Sequence, residues 1–462
     1  MLFLILLALV AGSDGRAVKA EQAKEAMTAR DFDRAIALYR DLSRAVPGDI
    51  AVEQNLGLAL YSAGRYAESS RVFGQVLRAD PNNQPALLFS GINWNRLDQP
   101  RQAVPLLTKF LAGSGEAVVA RLELGHAHFE LGNLHAALED FLKASALEPA
   151  NPTAWNGLGI SYWALARNNF DWIESNAPFS PEWCALLARF ELQQEHYKRA
   201  FQLYRQAASG SRALAGIHAG LAEVYRKAGH TDWALIEENR EHSVQTQDGG
   251  EVTRRYQEAI EDQQRAAEAL DHLEKLPLGP EVHQLLGFAY RAQRRDAESA
   301  TEFRRALELE PNNTRLTKEW ATSLWLSGEC SRAEPVVEQL LRTNSNSPQL
   351  NHVMGDCLVQ EKRPQNALLY LKTALKSDPG FLPARASLGR AYGHLGRYSE
   401  AIPYLKDALS LNDKSTLFQL AQAYKKIGDE ANASRYLQEY KRYASTTEQF
   451  LRLVDDAEIT SP

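Results

Sequence analysis

Small and bulky side chains recur along this chain at a fixed interval. Pro47, Pro81 and Pro149, and then Pro311 and Pro379, close amphipathic stretches such as RVFGQVLRADP and LKTALKSDP, and within each set they stand 34 or 68 residues apart. A 34-residue period with apolar residues three and four apart predicts stacked helix-turn-helix units. With each unit numbered 1 to 34, position 8 is Gly57, Gly91, Gly125, Gly159, Gly287, Gly355 or Gly389, and Ala23, Ala188, Ala222, Ala321 or Ala421 elsewhere, which makes twelve units. Position 20 is small as well, Ala35, Ala103, Ala137 and Ala367 among others, with Ser69 and Ser299 as substitutes. Position 24 is bulky, as in Tyr39, Phe73, Phe141, Tyr204, Phe303, Leu371 and Leu405. Where two helices cross closely, a side chain larger than a methyl forces the backbones apart, so small residues mark the crossing and the bulky one fills the space beside it. Gly64, Gly132, Gly229, Gly328, Gly396 and Gly428 fall between the two helices of a unit, where a positive φ commonly ends the first.

The rhythm fails between Pro149 and Pro311. Gly159 and Ala188 are five residues too close, which predicts a shortened second helix at about 168 to 180, and an insertion follows the seventh unit. Within it, EVTRRYQEAIEDQQRAAEALDHLEKL places Tyr256, Ile260, Ala267, Leu270 and Leu273 near one helical face, and PLGP at 277 to 280 stops that helix. Hinges are expected at both interruptions, because each breaks nearest-neighbour stacking. The expected organisation is a leader at 1–16, repeats one to seven at 17–245, a helical insertion at 246–278, repeats eight to twelve at 279–443, and a tail or capping helix at 444–462.

Trp155, Leu158, Gly159 and Tyr162 stand at the W-x2-L-G-x2-Y spacing. In this the chain resembles the tetratricopeptide repeat family over about residues 17 to 443. The resemblance implies an all-α, right-handed superhelical solenoid of about twelve helix-turn-helix repeats, with helix A of each repeat lining a concave groove. It also implies that positions 2, 5, 6, 9, 12 and 13 face the groove. Carried onto this sequence, those positions give Phe89, Arg96, Phe129, Trp163, Arg189, Phe288, Arg291, Trp325, Arg390 and Lys425 as partner-binding candidates, with Ile92, Ile160, Asp356 and Phe418 on the same face. Aromatic rings give contact area at low entropy cost and charges set orientation, which suits a protein or peptide segment, extended or helical. Members that grip a C-terminal carboxylate carry Lys and Asn at positions 5 and 9 and Asn at position 6 of the next repeat. Repeats two and three read Gln54, Asn55, Leu58 and then Leu88, Phe89, Ile92 there, so that clamp is absent.

Composition narrows the function further. With 52 Lys plus Arg against 58 Asp plus Glu, the net charge of −6 gives no reason to expect nucleic acid as a partner. No phosphate-binding loop, HExxH, EF-hand, GxSxG or paired CxxC motif is present, and the repeats leave no room for a separate catalytic core. An enzyme is therefore not expected, and neither is a cofactor. His126 and His128 lie two positions apart on a helix, on different faces, which excludes a shared metal. Cys330 and Cys357 sit in neighbouring repeats; packed free thiols are the reading and a disulfide is the alternative. The run LFLILLALVA at 2–11 is too short to cross a bilayer and reads as a secretory signal, with a weak anchor or a buried helix as alternatives. The expectation is an exported, periplasmic or extracellular interaction scaffold that is not an integral membrane protein. The alternative is a cell-envelope or polysaccharide assembly factor whose aromatics stack on glycan.

Overall fold

The computed structural model describes residues 14–210, 214–244, 250–277, 279–411, 414–441 and 458–462. The apolar run at 2–11 and residues 444–457 of the expected tail lie outside them. Every regular element among the described residues is helical, and none is long and apolar enough to cross a membrane. The chain divides into two compact units, Met1–Ser161 and Tyr162–Pro462.

In the first unit the helix pairs are Asp14–Thr28 with Phe32–Ala45, Ile50–Ser62 with Tyr66–Ala79, Gln84–Arg96 with Pro100–Ser114, and Val118–Glu130 with Leu134–Leu147. Position 34 starts each next helix A. The side chains of Asp49, Asn83 and Asn151 accept backbone N–H groups from Ala51, Ala86 and Ala154, respectively, in the first turn that follows. The helix crossing is as tight as the residue pattern requires. A Cβ on Gly57 would lie 2.7 Å from the Phe73 ring, and one on Gly125 would lie 2.9 Å from Phe141. Ser69, the substitute at position 20, is fully buried, and its hydroxyl donates to the Gly57 carbonyl at 2.8 Å. Ser299 does the same for Gly287 at 2.7 Å in the second unit, so small size and hydrogen bonding are combined at one position.

The turn between helices follows one rule. Position 15 has a positive φ in every repeat but the fifth, and the residue need not be glycine: Arg30, Asp98, Glu195, Arg294 and Lys362 adopt it with φ between 57° and 61°. Repeat five has Ala166 there, and no turn forms. Its two helices run on as one, Pro152–Asn176, which corrects the expected shortened helix B at 168 to 180.

The second unit continues with Pro181–Gln193 and Tyr197–Gly210 as repeat six, Ile217–Lys227 and Thr231–His242 as repeat seven, and the inserted helix Glu251–Glu274. Repeats eight to eleven follow as Pro280–Ala292 with Asp296–Leu309, Thr314–Leu326 with Cys330–Thr343, Pro348–Gln360 with Pro364–Ser377, and Leu382–His394 with Tyr398–Asp407. Repeat twelve is Lys414–Lys426 with a helix over 430–441. The inserted helix packs against helix A of repeat six and helix A of repeat eight. Its buried face carries Tyr256, Ala259, Gln263, Ala266, Ala269 and Leu273, while Ala267 is exposed, so the expected face is rotated by about one residue. Tyr256 donates to the Ala215 carbonyl at 2.8 Å, and the Arg255 guanidinium lies 4.3 Å from the Trp172 ring centroid.

Repeat eight meets the long helix directly. Arg167 donates to the Ala292 carbonyl at 3.2 Å, and Arg294 pairs with Glu174 at 3.3 Å. Repeat seven is left with an open side. Position 21 is buried as Ile36, Leu138, Phe201, Ala300 and Leu368 in other repeats, yet in repeat seven it is Leu235, 53% exposed. Both interruptions thus carry helices packed across a long sequence interval.

Candidate partner-binding face

Helix A of each repeat supplies the face, and its polar residues turn out to be engaged with one another. In the first unit, Arg96 at position 13 of repeat three pairs with Glu123 at position 6 of repeat four, 3.0 Å away, and Asn95 donates to the same carboxylate at 2.9 Å. In the second unit, Arg291 at position 12 of repeat eight pairs with Glu319 at position 6 of repeat nine at 2.6 Å and donates to Ser323 at 2.8 Å. Two of the cations expected to orient a partner therefore join consecutive A helices. Partly buried pairs of this kind contribute little net stability, but removing one member strands the other charge.

The densest network centres on Asp356, 2% exposed, in helix A of repeat ten. Its carboxylate takes Trp325 Nε1–H at 2.9 Å, Gln360 Nε2–H at 2.9 Å, the Ser387 hydroxyl at 2.7 Å and the Arg390 guanidinium. Burial raises the Asp356 pKa, but Arg390 and the hydrogen bonds outweigh it and hold the carboxyl below its ordinary range. His352 lies beside it, 5% exposed, edge-on to both Trp325 and Phe381 with ring centroids 5.1 and 5.4 Å away. Burial pulls its pKa down to about 4, so it is neutral at physiological pH. Ser387 donates to Asp356, which leaves its oxygen to accept from His352 Nε2 at 3.2 Å and so assigns the ring proton to Nε2.

The aromatic candidates divide by exposure. Phe89 is half-buried, edge-on to Tyr61 at 5.0 Å and stacked on Phe73 at 6.0 Å. Phe288 is half-buried, edge-on to Phe303 at 5.3 Å, with the Arg291 guanidinium 5.3 Å from its ring centroid. Phe129 and Trp325 are also half-buried, whereas Phe418 and Lys425 are exposed. Trp163, Ile92 and Ile160 are buried at 8%, 4% and 3% exposure and serve packing. Arg189 is half-buried near Tyr204 and Tyr256 of the repeat-six region. Burial raises both tyrosine hydroxyls well above their usual range, with the positive charge of Arg189 working the other way.

Family profiles described as Tetratricopeptide repeat match residues 26–88, 280–313, 318–380 and 358–423, and one described as TPR repeat matches 125–165, together more than half of the chain. This chain belongs to the tetratricopeptide repeat family. Among curated proteins, this tetratricopeptide chain is similar to DnaJ homolog subfamily C member 3 of Mus musculus and of Homo sapiens, 29% and 28% identical over 112 residues. Each match covers 24% of this chain and only 22% of the relative's length. Among solved structures it is similar to the APC/C hetero-tetramer Cut9-Hcn1, at 13% identity and a TM-score of 0.37 over 96% of both chains. A tetratricopeptide repeat protein from Parabacteroides merdae aligns at 14% identity and a TM-score of 0.35, over 68% of this chain and all of that one. MamA from Desulfovibrio magneticus aligns at 16% identity and a TM-score of 0.31, over 36% of this chain and 96% of that one.

Two features of the tetratricopeptide face escape a reading of the sequence. Glu123 and Glu319, both at position 6, are the acceptors that neutralise Arg96 and Arg291. A carboxylate at position 6 following an arginine at position 12 or 13 of the preceding repeat is the available signal. The second is the pair Cys330 and Cys357, which the sequence alone suggests are packed free thiols. The structure joins them as a disulfide with Cα atoms 5.1 Å apart. Cys184 remains a buried thiol, and burial pushes its pKa up to about 12. Among the described residues no cluster of ligating side chains could hold a metal ion.

Proposed function

We propose that this tetratricopeptide chain is a non-enzymatic protein-interaction scaffold that takes a partner helix or extended segment along the A-helix face, chiefly through apolar contact. The observation that carries this reading is the division of labour on that face. Arg96, Arg291 and Arg390 are neutralised by Glu123, Glu319 and Asp356, whereas Phe89, Phe129 and Phe288 keep part of their rings open to solvent. Apolar and aromatic anchors set among charges that are already paired within the fold are the chemistry of binding hot spots. Export to an oxidising compartment is part of the proposal. The apolar run LFLILLALVA and the Cys330–Cys357 disulfide both support it, since disulfides persist mainly outside the cytosol.

The test is site-specific photocrosslinking with benzoylphenylalanine in place of Phe129, Phe288 and Lys425, and, as a control, of Leu369, which is 70% exposed on a B helix. One protein crosslinked from the A-helix positions and not from position 369 is the expected result. Equal labelling from position 369, or capture of glycan alone, would sink the reading.

A further inference from the structure

A short segment far along the chain returns to repeats six and seven. Gln202 Nε2 donates to the Glu458 carbonyl at 3.4 Å, and the Tyr225 hydroxyl donates to the Thr460 carbonyl at 2.8 Å. Between those two carbonyls, the Ile459 side chain packs against the hydrophobic core of this region while Glu458 and Thr460 stay exposed. One side chain in, its neighbours out, and alternate main-chain carbonyls engaged is the pattern of an extended peptide in a binding site. The receiving surface is aromatic. Tyr225 lies 5.6 Å from Phe201 and 5.6 Å from Trp233, centroid to centroid, and His230 stacks on Trp233 at 3.9 Å. Tyr225, Trp233 and Phe201 occupy positions 11, 19 and 21 of their repeats, and Gln202 position 22, none of which belongs to the A-helix face proposed above.

We propose that Phe201, Gln202, Tyr225 and Trp233 form a second recognition site, specific for an extended protein segment centred on a β-branched aliphatic residue, and that Glu458–Thr460 of this chain is its resident occupant. Tyr225 carries the argument. The side chain is fully buried with the segment in place, and its hydroxyl spends its proton on Thr460 rather than on any group of the repeats. Burial, followed by the charge of Glu237, raises the Tyr225 pKa, so the donor stays protonated throughout the neutral range. Both hydrogen bonds go to carbonyl oxygens, so recognition reads the path of the main chain together with one aliphatic side chain. A partner segment of that description competes with Glu458–Thr460, whose effective concentration on the same chain is of order millimolar.

The experiment uses the full chain and a fluorescent peptide of residues 456–462. In wild type the resident segment blocks the site; in the Ile459→Asp chain it is released. The Ile459→Asp chain is expected to bind the peptide at least tenfold more tightly than wild type does, by fluorescence anisotropy. A peptide carrying the same Ile459→Asp change should not bind. Adding Tyr225→Phe to the Ile459→Asp chain should weaken binding about fivefold, the worth of one neutral hydrogen bond. Equal affinity of the two chains, or equal binding of both peptides, overturns the proposal. The peptide comparison is made on one and the same chain, so a folding defect cannot imitate the expected result.

Discussion

The Gly91–Leu107 contact offers a quantitative test of what sets the repeat geometry. A Cβ on Gly91 would sit 2.5 Å from Leu107 Cγ and 2.7 Å from its Cδ2, far inside contact distance, and both residues lie in the middle of their helices. Overpacking of this kind costs about 1–3 kcal/mol. Replacing a mid-helix glycine by alanine returns about 1 kcal/mol of helix propensity. Gly91→Ala is therefore expected to destabilise repeat three by about 0–2 kcal/mol, and Leu107→Val, which removes one methylene, by about 1 kcal/mol. The double variant should be more stable than the sum of the two predicts, because repeat nine already combines Ala321 with Val337 at the same two positions, both fully buried. A coupling of at least about 1 kcal/mol is expected between residues in such contact. A stacked array need not unfold in one step, so the assay is native-state hydrogen exchange of Gln84–Arg96 and Pro100–Ser114, supported by urea unfolding. Strict additivity, or a stabilising Gly91→Ala, would refute the steric account of position 8.

Three further outcomes are expected. Lys362 holds a φ of 61°, so Lys362→Gly should stabilise repeat ten by about 1 kcal/mol, whereas Gly328→Ala, at the equivalent position with φ 80°, should destabilise repeat nine by a similar amount; urea midpoints decide both. His352 has a folded pKa near 4 against about 6.5 unfolded, so between those values only the unfolded chain binds the proton and stability rises with pH. That contribution is complete above about pH 6.5 and is lost as pH falls towards 4, a difference of roughly 3 kcal/mol, and His352→Gln should flatten the urea midpoint across this window. Reduction of Cys330–Cys357, which closes a loop with a sequence separation of 27, should lower the stability of repeats nine and ten by roughly 3 kcal/mol. Thiol labelling under denaturing, non-reducing conditions should then modify Cys184 alone.

Periodicity makes the repeats legible because position 8, position 20 and position 24 answer to one local steric requirement. Gly57 against Phe73 and Gly287 against Phe303 meet as that requirement demands. The fifth repeat misleads because its spacing suggests five residues missing from a helix, when the telling residue is Ala166 at a position that elsewhere carries a positive φ. Arg30, Asp98, Glu195, Arg294 and Lys362 conceal that rule from a reader who looks only for glycine. The face is legible as a set of positions, but the state of its charges is not. Whether Arg291 meets solvent or Glu319 depends on how consecutive repeats are rotated, and a single repeat's sequence does not encode that rotation. The same holds for Tyr225 and Ile459, which are 234 residues apart in the numbering of the chain.

The bond between Arg167 and the Ala292 carbonyl spans 125 residues. In an ordinary repeat array each new helix pair finds its neighbour already made, and synthesis and folding advance together. Here the second half of Pro152–Asn176 leaves the ribosome long before Pro280–Ala292 exists. At about 5–20 residues per second the interval is roughly 6–25 s. For that time Arg167 and Glu174 lack their partners in repeat eight, while Phe170 and Ile173 of the same helix pack into the core of repeats six and seven as soon as those are made. The missing turn at Ala166 thus gives one helix two partners made at different times, repeat six at once and repeat eight only after the intervening stretch of 125 residues has been synthesised.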